Sequence, residues 1–196
     1  MTRIISGLAG GRRIHTPPGS GTRPTSDRVR EALFSRLEHL DVVNHARVLD
    51  LYAGSGALGL EAASRGGASV LLVESDWAAV AVIRTNIAEL GLPGVVLGVR
   101  ADTVERVLRS GPPSEQERCD LVLADPPYDV TEEALGEVLS LLVTYGWLSD
   151  DALVVVERAA RSPEPRWPSG LDGAGERRYG ETKMWFADFA SPPGVA

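Results

Sequence analysis

Apolar and polar positions along the chain fall into two alternating patterns. From residue 46 onward, short continuous apolar runs (ARVLDLY, SVLLVES, VVLGVRA, CDLVLAD, ALVVVE) take turns with segments whose apolar residues recur at helical spacing (LGLEAASRG, DWAAVAVIRTNIAELG, DTVERVLRSG, TEEALGEVLSLLVTYG). The first kind predicts strands buried on both faces and the second predicts amphipathic helices. Their alternation predicts right-handed crossovers and a parallel sheet covered on both sides. Past Glu157 the alternation stops. No helical periodicity follows, and ERRYGET leading into KMWFADF predicts a terminal hairpin whose final strand runs antiparallel to its neighbours. The expected fold is α/β and Rossmann-like, a seven-stranded and mostly parallel sheet with an antiparallel last strand.

The head follows other rules. Two strand-like runs, Arg3 to Ser6 and Arg12 to His15, flank a glycine-rich turn and precede a Pro/Gly/Ser stretch, which predicts a small hairpin arm over residues 1–22. TSDRVREALFSRL then has Thr and Ser placed to cap, an acid in the first turn, and Val29, Leu33, Phe34 and Leu37 on one face. It predicts a linking amphipathic helix within 23–40. Residues 41–190 form the expected ligand-binding domain, and the closing SPPGVA, 191–196, is expected to be disordered.

At 196 residues with 43% hydrophobic and 24% charged, the chain suits one sizeable core. Its longest uninterrupted apolar run, Trp77 to Ile83, is far below the roughly 18 residues of a membrane span, and arginines stand where a signal peptide would be apolar. A cytoplasmic protein is therefore expected. Cys119 alone and three scattered histidines offer neither a disulfide framework nor zinc spacing, so no metal is expected. The net charge of −7 conceals an asymmetry: residues 1–36 carry +5, all of the positive charge from arginine, and the remainder carries −12. Arginine forks suit phosphate, although a basic head is equally compatible with a solvated loop.

Residues 48–59, VLDLYAGSGALG, place Gly54, Gly56 and Gly59 in a G-x-G-x-x-G turn between strand and helix. Such a turn serves a dinucleotide, with Glu74 on the ribose, or S-adenosylmethionine, which shares the adenosine but replaces pyrophosphate with a cationic methionine. Asp50 discriminates, since a carboxylate there attracts an ammonium and repels a pyrophosphate. Glu74 would hold ribose hydroxyls, and Asp102, beside Thr103, would accept from the adenine amine. Ala53, Gly54 and Gly56 complete the expected cofactor loop.

The fourth strand ends in Asp125-Pro126-Pro127-Tyr128, across the expected switch point from the glycine turn. Two prolines remove amide donors and leave carbonyl acceptors beside the carboxylate, an array suited to a substrate NH2 group, while Tyr128 offers a face for stacking. DLYAGSGALGLEA followed by ADPPY resembles the class I S-adenosylmethionine-dependent methyltransferases of exocyclic amines. GLAGGRRIHTPPGSGTRPTSDRVREALF and RRYGETKMWF narrow the resemblance to the RsmD family, across residues 3 to about 189.

That resemblance implies transfer of methyl to the N2 amine of guanine 966 in 16S ribosomal RNA, within a 30S subunit or an assembly intermediate, by a monomer. It implies that Asp125 and the Pro126 carbonyl take the N2 hydrogens and localise the lone pair while Tyr128 stacks on the turned-out base. It further implies that Thr25 and Arg28 lie near the methionine, leaving Arg12, Arg13, Arg23 and Arg30 for RNA. Three rivals remain at this point. A DNA adenine-N6 methyltransferase would need a target-recognition domain; a nicotinamide-dependent oxidoreductase leaves Asp50 and DPPY unexplained; a non-catalytic RNA-binding module leaves the acids without purpose.

Overall fold

The computed structural model describes residues 2–18 and 26–190. Thr25 and Arg23, and the tail 191–196, lie outside the described residues. The arm is a minimal antiparallel hairpin of β1 (Thr2–Arg3) and β2 (Arg13–Ile14), shorter than the apolar runs predicted. Helix α1 (Asp27–His39) starts at Ser26, whose side chain accepts from the Val29 N–H at 3.3 Å, and buries Leu33, Phe34 and Leu37. Then follow β3 (Arg47–Leu51), α2 (Ala57–Ser64), β4 (Ser69–Glu74), α3 (Trp77–Leu90), β5 (Val96–Ala101), α4 (Val104–Arg109), β6 (Cys119–Ala124), α5 (Glu132–Thr144), β7 (Leu148–Ala159), β8 (Leu171–Tyr179) and β9 (Thr182–Phe189).

The sheet order is β5-β4-β3-β6-β7-β9-β8, with β3 to β7 parallel and β9 antiparallel to both β7 and β8. The last strand in sequence is thus inserted inside the sheet and β8 is the edge. Apolar KMWFADF is buried on both faces while β8 is almost wholly exposed. The chain winds outward from β3 in one direction and from β6 in the other, so the crevice at their carboxyl ends is the switch point.

Strand side chains alternate between two cores. Val48, Leu121, Leu123 and Val155 meet α1, α2, α3 and the arm, whereas Leu49, Leu51, Val122 and Val154 meet α4 and α5. Cys119 belongs to the second core, where burial pushes its thiol up to about 12 and leaves it unreactive.

The arm is clasped to the body. Glu61, fully buried in α2, accepts from the Ile5 N–H at 2.7 Å, the Ser6 N–H at 3.1 Å and Arg65 Nε at 2.7 Å. Arg30 Nε stands 3.5 Å from the same carboxylate without an aligned hydrogen bond. Gly7, at φ +80°, lies so close to α2 that a Cβ would stand 1.9 Å from the Ser64 carbonyl oxygen. Buried Asn86 donates to the His15 carbonyl at 3.0 Å and to the Ser55 carbonyl at 2.9 Å, tying the end of the arm to the glycine turn.

Candidate functional site

A cavity of about 310 Å³ opens at the switch point. Its walls come from the turn after β3 (Tyr52, Ala53, Gly54, Ser55), the end of β4 (Glu74, Ser75), the turn after β6 (Asp125 to Tyr128), the end of β7 (Glu157, Arg158) and the arm (Thr16, Pro17).

The glycine turn is built by local chemistry. Gly54 and Gly56 take positive φ of 57° and 81°, and Gly56 occupies the N-cap position of α2, which has no side-chain cap. Asp50 supplies what the cap lacks: its Oδ2 accepts from the Gly59 N–H at 2.8 Å. Gly59 is required because a Cβ there would stand 2.9 Å from that oxygen and 3.0 Å from Val70 Cγ1. A pyrophosphate at this helix end would compete with a carboxylate already seated on it.

Asp50 is completely buried, and its carboxyl is pushed up to about 8, first by desolvation and then by the carboxylates of Asp125 and Glu74, against the lowering effect of the Gly59 bond. No ion pair reaches it among the described residues. A desolvated acid on the wall of a cavity holding three further carboxylates, Glu74, Asp125 and Glu157, fits a cationic ligand, and the expected cofactor is one. Glu74 accepts from the Gly54 N–H and the Asp76 N–H, both at 2.8 Å, which orients the carboxylate and leaves lone pairs for hydroxyl donors.

At the β6 end the Asp125 N–H donates to the Leu51 carbonyl at 3.4 Å, holding the two central strand ends together. Pro126 is buried, Pro127 exposed, and Tyr128 stands at the mouth with 67% of its surface open. The Pro127 carbonyl is spent on the Val130 N–H at 3.0 Å, which leaves the Pro126 carbonyl as the backbone acceptor beside Asp125.

Arg158 and Tyr52 are among the wall residues that sequence reasoning missed. Arg158, buried at the end of β7, donates to the Val130 carbonyl at 2.9 Å and to Glu132 Oε1 at 2.6 Å, clamping the segment that follows DPPY. An arginine closing the apolar run VVVE was its only signal. Tyr52 sits at φ +60°, a conformation that non-glycine residues rarely take, and burial pushes its hydroxyl up to about 12. Glu157 also lines the cavity.

Other expected residues lie elsewhere. Asp102 and Thr103 stand at the end of β5, outside the cavity wall; Asp102 accepts from the Thr103 N–H at 2.8 Å and Thr103 caps α4. Arg28 is exposed on the first turn of α1, away from the wall. The structure corrects the expected role of Arg30: its side chain is completely buried, bonded to the Arg3 carbonyl and to Asp27 Oδ1 at 3.0 Å, so it cannot touch RNA. Arg12 is exposed, its guanidinium held by the Leu90 and Glu89 carbonyls at the end of α3 without an ion pair among the described residues. Arg13 is exposed, without an ion pair among the described residues.

Comparison with known proteins adds the following. The profile of the family described as conserved hypothetical protein 95 matches residues 2–188. Ribosomal RNA small subunit methyltransferase D of Escherichia coli (strain K12) is 39% identical over 167 residues, 85% of this chain and 79% of that protein. The putative rRNA methyltransferase YlbH of Bacillus subtilis (strain 168) is 34% identical over 180 residues, 92% of this chain and 95% of that protein. Among solved structures, the putative methyltransferase yhhF from Escherichia coli superposes with a TM-score of 0.82 at 32% identity, covering 97% of this chain and 99% of that one.

Proposed function

The chain belongs to the conserved hypothetical protein 95 family of RsmD-like, S-adenosylmethionine-dependent methyltransferases, and from that premise we propose that it methylates the N2 amine of a guanine in 16S ribosomal RNA, guanine 966 by the convention of the family. The observation that carries this is the meeting of Asp50, Glu74 and the DPPY turn on one cavity. S-adenosylmethionine, when bound, supplies an electrophilic methyl group on a cationic sulfonium. Asp50 and the Ala53–Gly56 turn hold its methionine part, Glu74 the ribose, and Asp102 and Thr103, one strand further out, the adenine. Thr25 and Arg28 are assigned to the methionine end on family resemblance.

A guanine N2 lone pair is delocalised into the ring and is a poor nucleophile. Asp125 and the Pro126 carbonyl accept its two hydrogens, which turns the lone pair out of conjugation and aims it into the cavity. Tyr128, exposed at the mouth, stacks on the base once it has left its helix. No strong base is required, because the nitrogen becomes acidic on alkylation. Arg12, Arg13 and Arg23 are the head residues left for phosphate, and the RNA is presented within a 30S subunit or an assembly intermediate.

The test is transfer of labelled methyl to 30S subunits and to naked 16S RNA from cells lacking the gene, followed by nucleoside analysis. N2-methylguanosine is the expected product; N6-methyladenosine, or label only in DNA, overturns the substrate.

Proton release checks the assignment of Asp50 separately. Its folded pKa near 8 is raised, so its contribution to stability is fully present below the ordinary carboxyl value of 3.8 and is lost as pH rises towards 8. An ammonium beside it favours the ionised form. Cofactor binding at pH 7 is therefore expected to release close to one proton, read by calorimetry in buffers of different ionisation heat, and Asp50→Asn should abolish that release. Equal proton counts in the two proteins would move the ammonium to another acid.

A further inference from the structure

Arg177 and Arg178, outside the head, stand near the cavity with no carboxylate paired to them among the described residues. β8 ends in Arg177-Arg178-Tyr179 and β9 starts at Thr182, with Tyr179 paired to Thr182 and Arg178 to Lys183. Across β9, Thr182 pairs with Ala159, and the Ala160 N–H donates to the Glu181 carbonyl at 2.8 Å. Thr182, Ala159 and Arg161 are wall residues of the cavity. The tip of the β8–β9 hairpin therefore stands at the same carboxyl edge of the sheet as the DPPY turn. Three inter-strand steps separate β6 from β8, roughly 14 Å.

Arg177 and Arg178 are exposed, and neither has an ion pair among the described residues. Their hydrogen bonds go to neutral backbone: Arg177 Nη1 to the Glu176 carbonyl at 2.8 Å, Arg178 Nε to the Gly180 carbonyl at 3.0 Å. These bonds hold the guanidinium groups at the turn without cancelling their charge. The adjacent acid, Glu176, is engaged by Lys183 Nζ at 2.9 Å. Tyr179, packed against the first core, fixes the tip, so little ordering entropy would be lost on binding. The body outside the head carries −12, which makes un-neutralised arginines at the rim of the site a departure from their surroundings.

We propose that the β8–β9 tip grips the phosphate backbone of the RNA substrate on the side of the target base away from the N-terminal arm, through Arg177 and Arg178. The inference rests on the function proposed above and extends it: the arm is tied through Asn86 to the turn after β3, and the tip stands on the far side of β6 from β3 in the sheet order. Planar guanidinium forks suit phosphate oxygens, and such contacts give affinity and register without reading sequence.

The experiment measures binding of 16S RNA and of 30S subunits to the full chain, wild type and the double variant R177Q/R178Q, from 50 to 200 mM salt, with cofactor affinity and melting temperature alongside. Losing two phosphate contacts should weaken RNA binding and reduce the salt slope by about 2, so that the variant loses about tenfold less affinity across that window than the wild type. Cofactor affinity should be unchanged. If the double variant fails to fold, R177E is used, because Arg177 holds only a neighbouring carbonyl; it should weaken RNA binding in the same direction. Unchanged affinity and slope overturn the inference while N2-methylguanosine formation by the wild type leaves the proposed function standing. A loss confined to the 30S particle, with naked RNA bound as before, assigns the tip to a ribosomal protein and overturns it. A wild-type chain that neither binds nor methylates RNA overturns both.

Discussion

Asp125→Ala is expected to slow methyl transfer about 10²- to 10³-fold while RNA binding changes less than about twofold. The carboxylate follows β6 on the cavity wall, which Arg13, Arg177 and Arg178 do not line. Without it the Pro126 carbonyl is the sole acceptor for the amine, one hydrogen is unheld, and the lone pair stays conjugated. Asp125→Asn should fall nearly as far, since it turns a donor towards an amine. Single-turnover transfer with filter binding measures both quantities. A second readout distinguishes local chemistry from collapse: after burial, Asp125 is the larger of two carboxylate influences holding Asp50 high, so in Asp125→Ala the Asp50 titration should move down. A parallel loss of RNA affinity would make Asp125 a binding or folding residue instead.

The largest stability effect is expected at Glu61. Alanine there takes the fully buried carboxylate from two guanidinium groups, Arg65 with 5% and Arg30 with 0% of their side chains exposed, leaving them only the more exposed Glu38 and Asp27, and removes the acceptor of two arm N–H groups. Breaking a buried pair from one side costs about 3–5 kcal/mol, which in a domain of this size lowers Tm by roughly 10 °C. Glu61→Gln keeps an acceptor for the arm and should fall between the two. Thermal unfolding gives the first number, and limited proteolysis at the arm shows whether the clasp opens before the core. A Tm within ~2 °C of the wild type would mean that the clasp contributes nothing beyond the packing of Ile4 and Ile14.

The outcome at individual residues separates what was legible from what was not. Asp50, Glu74 and Asp125 were readable as candidate site residues because each stands at the end of an apolar strand, and strand ends follow from local periodicity. Their meeting on one cavity then follows from handed crossovers. The same reasoning placed Asp102 beside them, yet the wall stops short of β5. The head arginines were not separable by eye. Arg30 shares its helical face with Leu33, Phe34 and Leu37, a position that reads as a polar intrusion until Glu61, on another helix, is seen to stand beside it. Arg12 reads as a free cation, and the structure leaves it exposed while the carbonyls at the end of α3 fix its guanidinium. The insertion of β9 between β7 and β8 had a usable signal, the contrast between apolar KMWFADF and polar LDGAGERRY, because only a strand covered on both faces tolerates the first.

Element type, strand-end chemistry and the glycine turn were thus determined by the sequence alone, since each depends on side-chain spacing and backbone freedom within a few residues. Which arginines are buried clasps and which are open to phosphate, how the arm becomes a wall of the cavity, and that Tyr52 and Arg158 belong to the site were decided by the tertiary structure. Burial and charge pairing depend on neighbours brought from distant parts of the chain, and local pattern does not encode them.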